Sequence, residues 1–89
     1  MSEAEELDAI VVGFDEQERV LVQPTSGITG EELAKLVGKE AVYVDYNGRP
    51  WKGSVTEALE DVLVVEFEAL KSGQEVPGLG QGSLLRIKP

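Results

Sequence analysis

Tyr43-Val44-Asp45-Tyr46-Asn47-Gly48-Arg49-Pro50-Trp51-Lys52 is the stretch on which the fold turns. Asn47-Gly48 supplies the two positive φ angles that a two-residue hairpin turn needs, and alternating arms flank it. That turn sets a register pairing Tyr46 with Arg49, Val44 with Trp51 and Val42 with Gly53 on one face. Tyr43, Asp45, Lys52 and Ser54 then share the other face. Gly53 opposite Val42 predicts a bend or a close backbone approach of the kind barrel corners require. Pro50, which has no N–H to give a ladder, marks a strand end or an edge.

Further strands lie on both sides of this hairpin. Upstream, Ala9-Ile10-Val11-Val12-Gly13-Phe14 and Arg19-Val20-Leu21-Val22-Gln23 are β-rich runs joined by the polar turn Asp15-Glu16-Gln17-Glu18. Pro24 ends the second run. Thr29 stands three residues before Glu32, the spacing of a capping box, and Leu33, Leu36 and Val37 share one helical face closed by Gly38. So short a helix needs a sheet to pack on, and its expected place is one end of a barrel. Downstream, Asp61–Glu68 is a strand with Leu63, Val65 and Phe67 inward. A glycine-rich loop, Val76–Gly82, leads to a last strand, Ser83–Lys88. The expectation is a mostly-β domain over residues 9–89, a small six-stranded antiparallel barrel with one short helix, behind a disordered acidic tail over 1–8. Its inward side chains are Val44, Trp51, Val55, Leu63, Val65 and Phe67.

Composition narrows the chemistry. The 89 residues include neither cysteine nor histidine, which removes thiol nucleophiles, disulfides, the usual zinc ligand sets and the commonest general base. Ser26 and Ser54 have no histidine to activate them. Gly78, Gly80 and Gly82 lead into a strand rather than a helix, so they lack the setting of a phosphate loop. The acidic N-terminal stretch is unlike a signal peptide, and no apolar run reaches the ~20 residues of a membrane span. A cytoplasmic protein without catalysis, cofactor, metal or small-molecule substrate is expected.

Charge points to surfaces. The formal net charge is -9, which repels phosphate backbones at long range. The sign reverses locally between Leu33 and Gly53, where Lys35, Lys39, Arg49 and Lys52 outnumber Glu40 and Asp45. Residues 57–75 are acidic again. Trp51, with Tyr43, Tyr46, Arg49 and Lys52, offers aromatics beside cations and suits nucleic acid or protein contact. Alternatively, Trp51 lies in the core with Val44. Glu57, Glu60, Glu66 and Glu68 form the candidate face for a basic protein partner.

The order of these features resembles a known family. A leading hairpin is followed by a helix ending Lys35-Leu36-Val37-Gly38-Lys39, and then by Asn47-Gly48-Arg49-Pro50-Trp51-Lys52-Gly53-Ser54-Val55. Val64-Val65-Glu66-Phe67 and Pro77-Gly78-x-Gly80-x-Gly82 precede the final strand. Over residues 9–88 this is similar to the archaeal and eukaryotic large-subunit ribosomal protein family thirty-five Ae. The resemblance implies a translation-protein β-barrel and a structural, non-catalytic role against ribosomal RNA or large-subunit proteins. The family is strongly basic, whereas this chain has Asp15-Glu16-Gln17-Glu18, Thr56–Asp61, Val64, Glu66 and Glu68 where basic residues are expected. Lys39, Arg49 and Lys52 are left as the RNA contacts that the resemblance implies. The alternative is an acidic paralogue acting off the ribosome as a protein-binding adaptor. A barrel of the small-nucleolar-particle type is a third option.

Overall fold

The computed structural model describes residues 6–28 and 30–88. Six strands, β1 (Leu7–Phe14), β2 (Val20–Pro24), β3 (Glu40–Val44), β4 (Pro50–Leu59), β5 (Val62–Phe67) and β6 (Leu84–Ile87), close into a barrel. The order around it is β1-β2-β5-β4-β3-β6, and every neighbouring pair is antiparallel. Three hairpins supply the local pairings, and β6 joins β3 to β1 to shut the ring. Closure removes the free strand edges that a small sheet would otherwise expose. A residue is bulged out of register between Val11 and Gly13 and another between Val55 and Glu57, giving β1 and β4 the bends that closure needs.

Alternation sorts the side chains. Val11, Val20, Val22, Val55, Leu63, Val65, Phe67, Leu85 and Ile87 fill the interior, and Trp51 joins them at 9% exposure. The expected inward positions hold at Trp51, Val55, Leu63, Val65 and Phe67 but fail at Val44, which is 56% exposed. The register explains why. Tyr43 lies opposite Trp51, Val44 opposite Pro50 and Val42 opposite Lys52, a slip of one residue from the two-residue turn's register. With a side-chain period of two, that slip turns Tyr43 and Asp45 inward and Val44 outward. Gly53 does mark a close approach, but to β5. A Cβ built there would stand 2.7 Å from the Glu66 carbonyl oxygen.

Helical structure also departs from expectation. α1 covers only Glu31–Ala34 with Gly30 as N-cap and no side-chain cap, while Thr29 of the proposed capping box lies outside the described residues. Leu33 enters the core, Leu36 packs against it and Val37 stays 43% exposed. Gly38 closes the turn at φ 91 and donates its N–H to the Val55 carbonyl at 2.8 Å, tying the segment to β4. Glu68, expected in a strand, instead begins a second helix, α2 (Glu68–Lys71). β1 takes in Leu7 and Asp8, opposite Ile87 and Arg86, so the tail boundary at residue 8 is too late. Glu6 precedes the strand and is exposed, and residues 1–5 of the expected tail lie outside the described residues. Among the described residues, no helix is long and apolar enough to cross a membrane.

Candidate functional site

The β3–β4 turn is organised by one carboxylate. Asp45 Oδ1 accepts the backbone N–H of Asn47 and of Arg49, each at 2.9 Å. Gly48 N donates to the Asp45 carbonyl, and Asp45 N to the Arg49 carbonyl, closing a three-residue loop with Gly48 at φ 83. The aspartate thus displaces the two-residue turn that Asn47-Gly48 alone suggests. The β1–β2 turn repeats this arrangement. Asp15 Oδ1 accepts from Gln17 and Arg19, and Glu18 occupies the positive-φ position at 64. An Asp-x-x-x-Arg pattern therefore builds both turns.

The two turns differ in what the arginine does. Arg19 Nε donates to Asp15 Oδ2 at 2.7 Å. At the second turn the Trp51 indole N–H takes that place, donating to Asp45 Oδ2 at 3.0 Å. Arg49 then lies over the Trp51 ring, its guanidinium carbon 4.4 Å from the ring centroid. Among the described residues, no carboxylate lies within ion-pair distance of Arg49. Trp51 thus both packs inward and carries a cation at the barrel rim.

Both turn aspartates resist protonation. At Asp45 the Trp51 N–H lowers the pKa most, helped by the Arg49 and Asn47 backbone N–H groups against the opposing pull of burial. At Asp15 burial is the largest single influence and raises the pKa. The Arg19 backbone and guanidinium and the Gln17 N–H outweigh it, and the result is a lowered value. A carboxylate depressed in the fold leaves the unfolded chain binding more protons as pH falls. Its stabilisation is full above the ordinary value of 3.8 and drains away as pH drops through the folded values. Urea midpoints measured from pH 5 down to 3 should therefore fall more steeply for the parent than for Asp15→Asn with Asp45→Asn. Parallel slopes would exclude these two groups as the source.

The sequence-derived cations do not form one cluster. Lys39 precedes β3, and the five residues of that strand separate it from the Asp45 turn, about 17 Å of extended chain. Lys52 points outward between them with Nζ 3.7 Å from Glu40 Oε2. Arg49 and Lys52 share the outer half of the hairpin, and Lys39 stands at its far end. The acidic candidates are also divided. Glu66 is paired with Lys71 at 3.7 Å and Glu57 with Arg19 at 3.9 Å. Glu60 sits in the β4–β5 turn at φ 45, while Glu68 begins α2 beyond the other end of β5. They span the strand's whole length and do not make a single face.

Sequence reasoning missed a groove along β3 and β6. The ladder between these strands is confined to Ala41–Ile87 and Val42–Arg86. Beyond it lies an open groove of about 710 Å³, floored by Val42, Val44, Tyr46 and Leu84 and edged by Glu6, Arg86 and Lys88. The inward-facing Tyr43 and Asp45 also line it, because the strands part there. The glycine loop is spent on structure: Gly80 N–H goes to Ser83 Oγ, Gly82 N–H to the Val11 carbonyl, and Tyr43 Oη donates to the Pro77 carbonyl at 3.2 Å. No family model matches this chain, and no curated protein shows significant similarity to it.

Proposed function

We propose that this barrel is a non-catalytic structural or ribosome-associated protein of the large ribosomal subunit, touching RNA through the outer half of the β3–β4 hairpin. The observation that carries this reading is Arg49, whose guanidinium carbon lies 4.4 Å from the Trp51 ring centroid with no carboxylate in ion-pair distance among the described residues. A planar, weakly hydrated cation fixed at a rim suits a phosphate oxygen or a base plane. The order of hairpin, helix, hairpin and final strand, together with the barrel, adds to the resemblance already described. Lys52 contributes a second, partly neutralised charge, and Lys39 contributes a third at a distance. Three phosphate contacts give a log–log salt slope of about -2.7 on duplex RNA, taking the duplex-DNA value per contact. Against a net charge of -9 that is weak, so neighbouring proteins must hold the domain in place.

Sedimentation of the tagged protein with large subunits in gradients of moderate salt tests this. The parent should travel with the subunit. Arg49→Glu with Lys52→Glu should release it from ribosomal RNA fragments and flatten the salt slope to about -0.9, the value for one remaining contact. If the double variant binds RNA fragments as the parent does, the hairpin is not the contact. The net charge favours a second reading, the acidic adaptor acting away from the ribosome. A parent protein that never enters the subunit fractions would select it.

A further inference from the structure

Asn47-Gly48 carries a chemistry that its turn does not need. The β1–β2 turn has Gln17-Glu18 at the matching positions and closes on Asp15 in the same way, with Glu18 at φ 64. Asn47 is the only asparagine of the chain, and no aspartate precedes a glycine. Asn47 and Gly48 are both exposed, and the Asn47 carboxamide has no hydrogen-bond partner among the described residues. A Cβ built on Gly48 would meet nothing within 4 Å. An asparagine followed by glycine is open to intramolecular attack, because no side chain shields the next backbone nitrogen.

The turn holds the reacting atoms apart. Gly48 N–H donates to the Asp45 carbonyl at 2.9 Å, which makes Asn47 the third residue of a tight turn. Asn47 does not have a positive φ, so the turn is type I and ψ at Asn47 is about 0°. That value sets Gly48 N beside the Asn47 nitrogen and away from Asn47 Cβ. Ring closure needs Gly48 N and Cβ on the same side of the Cα–C bond. Asp45 Oδ1 fixes the unreactive conformation by accepting the Asn47 and Arg49 N–H groups, each at 2.9 Å. Trp51 anchors the other oxygen of that carboxylate. The Gly48 proton, which must leave before the nitrogen can attack, is the one the Asp45 carbonyl holds. A negative carboxylate alongside also opposes the anion that forms.

We infer that Asn47 is a site of spontaneous deamidation, gated by the Asp45 turn. When the turn opens, Gly48 N gives its proton to hydroxide and attacks Asn47 Cγ. The N–Cγ bond forms, the Cγ–Nδ2 bond breaks, and Nδ2 leaves as ammonia with a proton taken from water. One water then opens the succinimide at either carbonyl, giving aspartate or isoaspartate with no change of oxidation state. Either product places a new carboxylate two residues from Arg49. Isoaspartate also routes the main chain through Cβ and Cγ, which adds a methylene group between the two N–H groups that Asp45 holds. The turn then no longer closes on Asp45 as before. The inference does not rest on the RNA reading.

Peptide mapping that resolves isoaspartate, on the full chain aged at mildly alkaline pH, tests this. Urea-unfolded parent should accumulate isoaspartate at position 47 at least about tenfold faster than folded parent, the factor for one hydrogen bond to a charged acceptor. Asp45→Ala, shown to be folded by circular dichroism, should recover most of that difference. Asp15→Ala removes the matching carboxylate of the other turn and weakens the fold elsewhere, yet it should age like the parent. Equal acceleration by both variants would route the reaction through whole-chain unfolding and overturn the gate. Should Asp45→Ala fail to fold, the parent alone decides. Its rate should stay flat across sub-denaturing urea, because opening one turn exposes little surface. A rate that climbs with the slope of global unfolding would overturn the proposal. So would folded parent reacting as fast as unfolded parent, or no isoaspartate in either.

Discussion

Replacing Phe67 with alanine should lower the unfolding free energy by about 3–5 kcal/mol, the range for deleting a fully buried aromatic ring. Phe67 is 1% exposed and lies directly opposite Gly53 on β4. The partner strand therefore has no side chain at that point to swing into the space, so the cavity should persist. A chain of 89 residues buries a modest share of its unfolded surface. Domains as a class hold only about 5–15 kcal/mol in total, so this loss would remove a large part of the stability. Urea denaturation of parent and variant measures it. A difference below about 1 kcal/mol would place the ring at the surface and contradict the packing described above.

The strands were legible because their signal is simple. Val20–Val22, Leu63–Phe67 and Leu84–Ile87 carry β-branched and aliphatic residues at alternate positions, and the barrel buries the set that alternation selects. The central hairpin departs from the register of a two-residue turn for a local reason. Asn47-Gly48 favours a two-residue turn, but Asp45 two residues earlier offers a carboxylate to two backbone N–H groups and wins. The signal was present, since Asp15 to Arg19 repeats the Asp-x-x-x-Arg spacing of Asp45 to Arg49. From that one-residue slip follow the outward Val44 and the inward Tyr43 and Asp45. The groove was not legible at all. It depends on where β6, more than forty residues from the hairpin's start, stops pairing with β3, and no local pattern encodes that.

Trp51 should prove the most consequential single residue of the hairpin, because packing, turn geometry and the candidate RNA contact meet on it. Trp51→Ala should cost about 3–5 kcal/mol of stability. Its ring is 9% exposed, packs with the core and lies opposite Tyr43 on β3. Trp51→Phe separates the contributions. It keeps most of the apolar contact, but removes the N–H that Asp45 Oδ2 accepts at 3.0 Å, leaving a buried acceptor without its partner. It also narrows the π surface beneath Arg49. Stability should therefore fall more when Phe replaces Trp51 in the parent than in an Asp45→Asn background, where the carboxylate is already gone. Non-additivity in this double-mutant cycle is the expected signature of a coupled pair. Additive losses would mean that the indole contributes by volume alone, and Asp45 would then be tied only to its turn. Trp51→Phe should also weaken RNA-fragment binding without changing the formal charge, because it loosens the seat of Arg49. Unaltered binding, with the stability loss present, would detach the tryptophan's structural role from the proposed RNA contact.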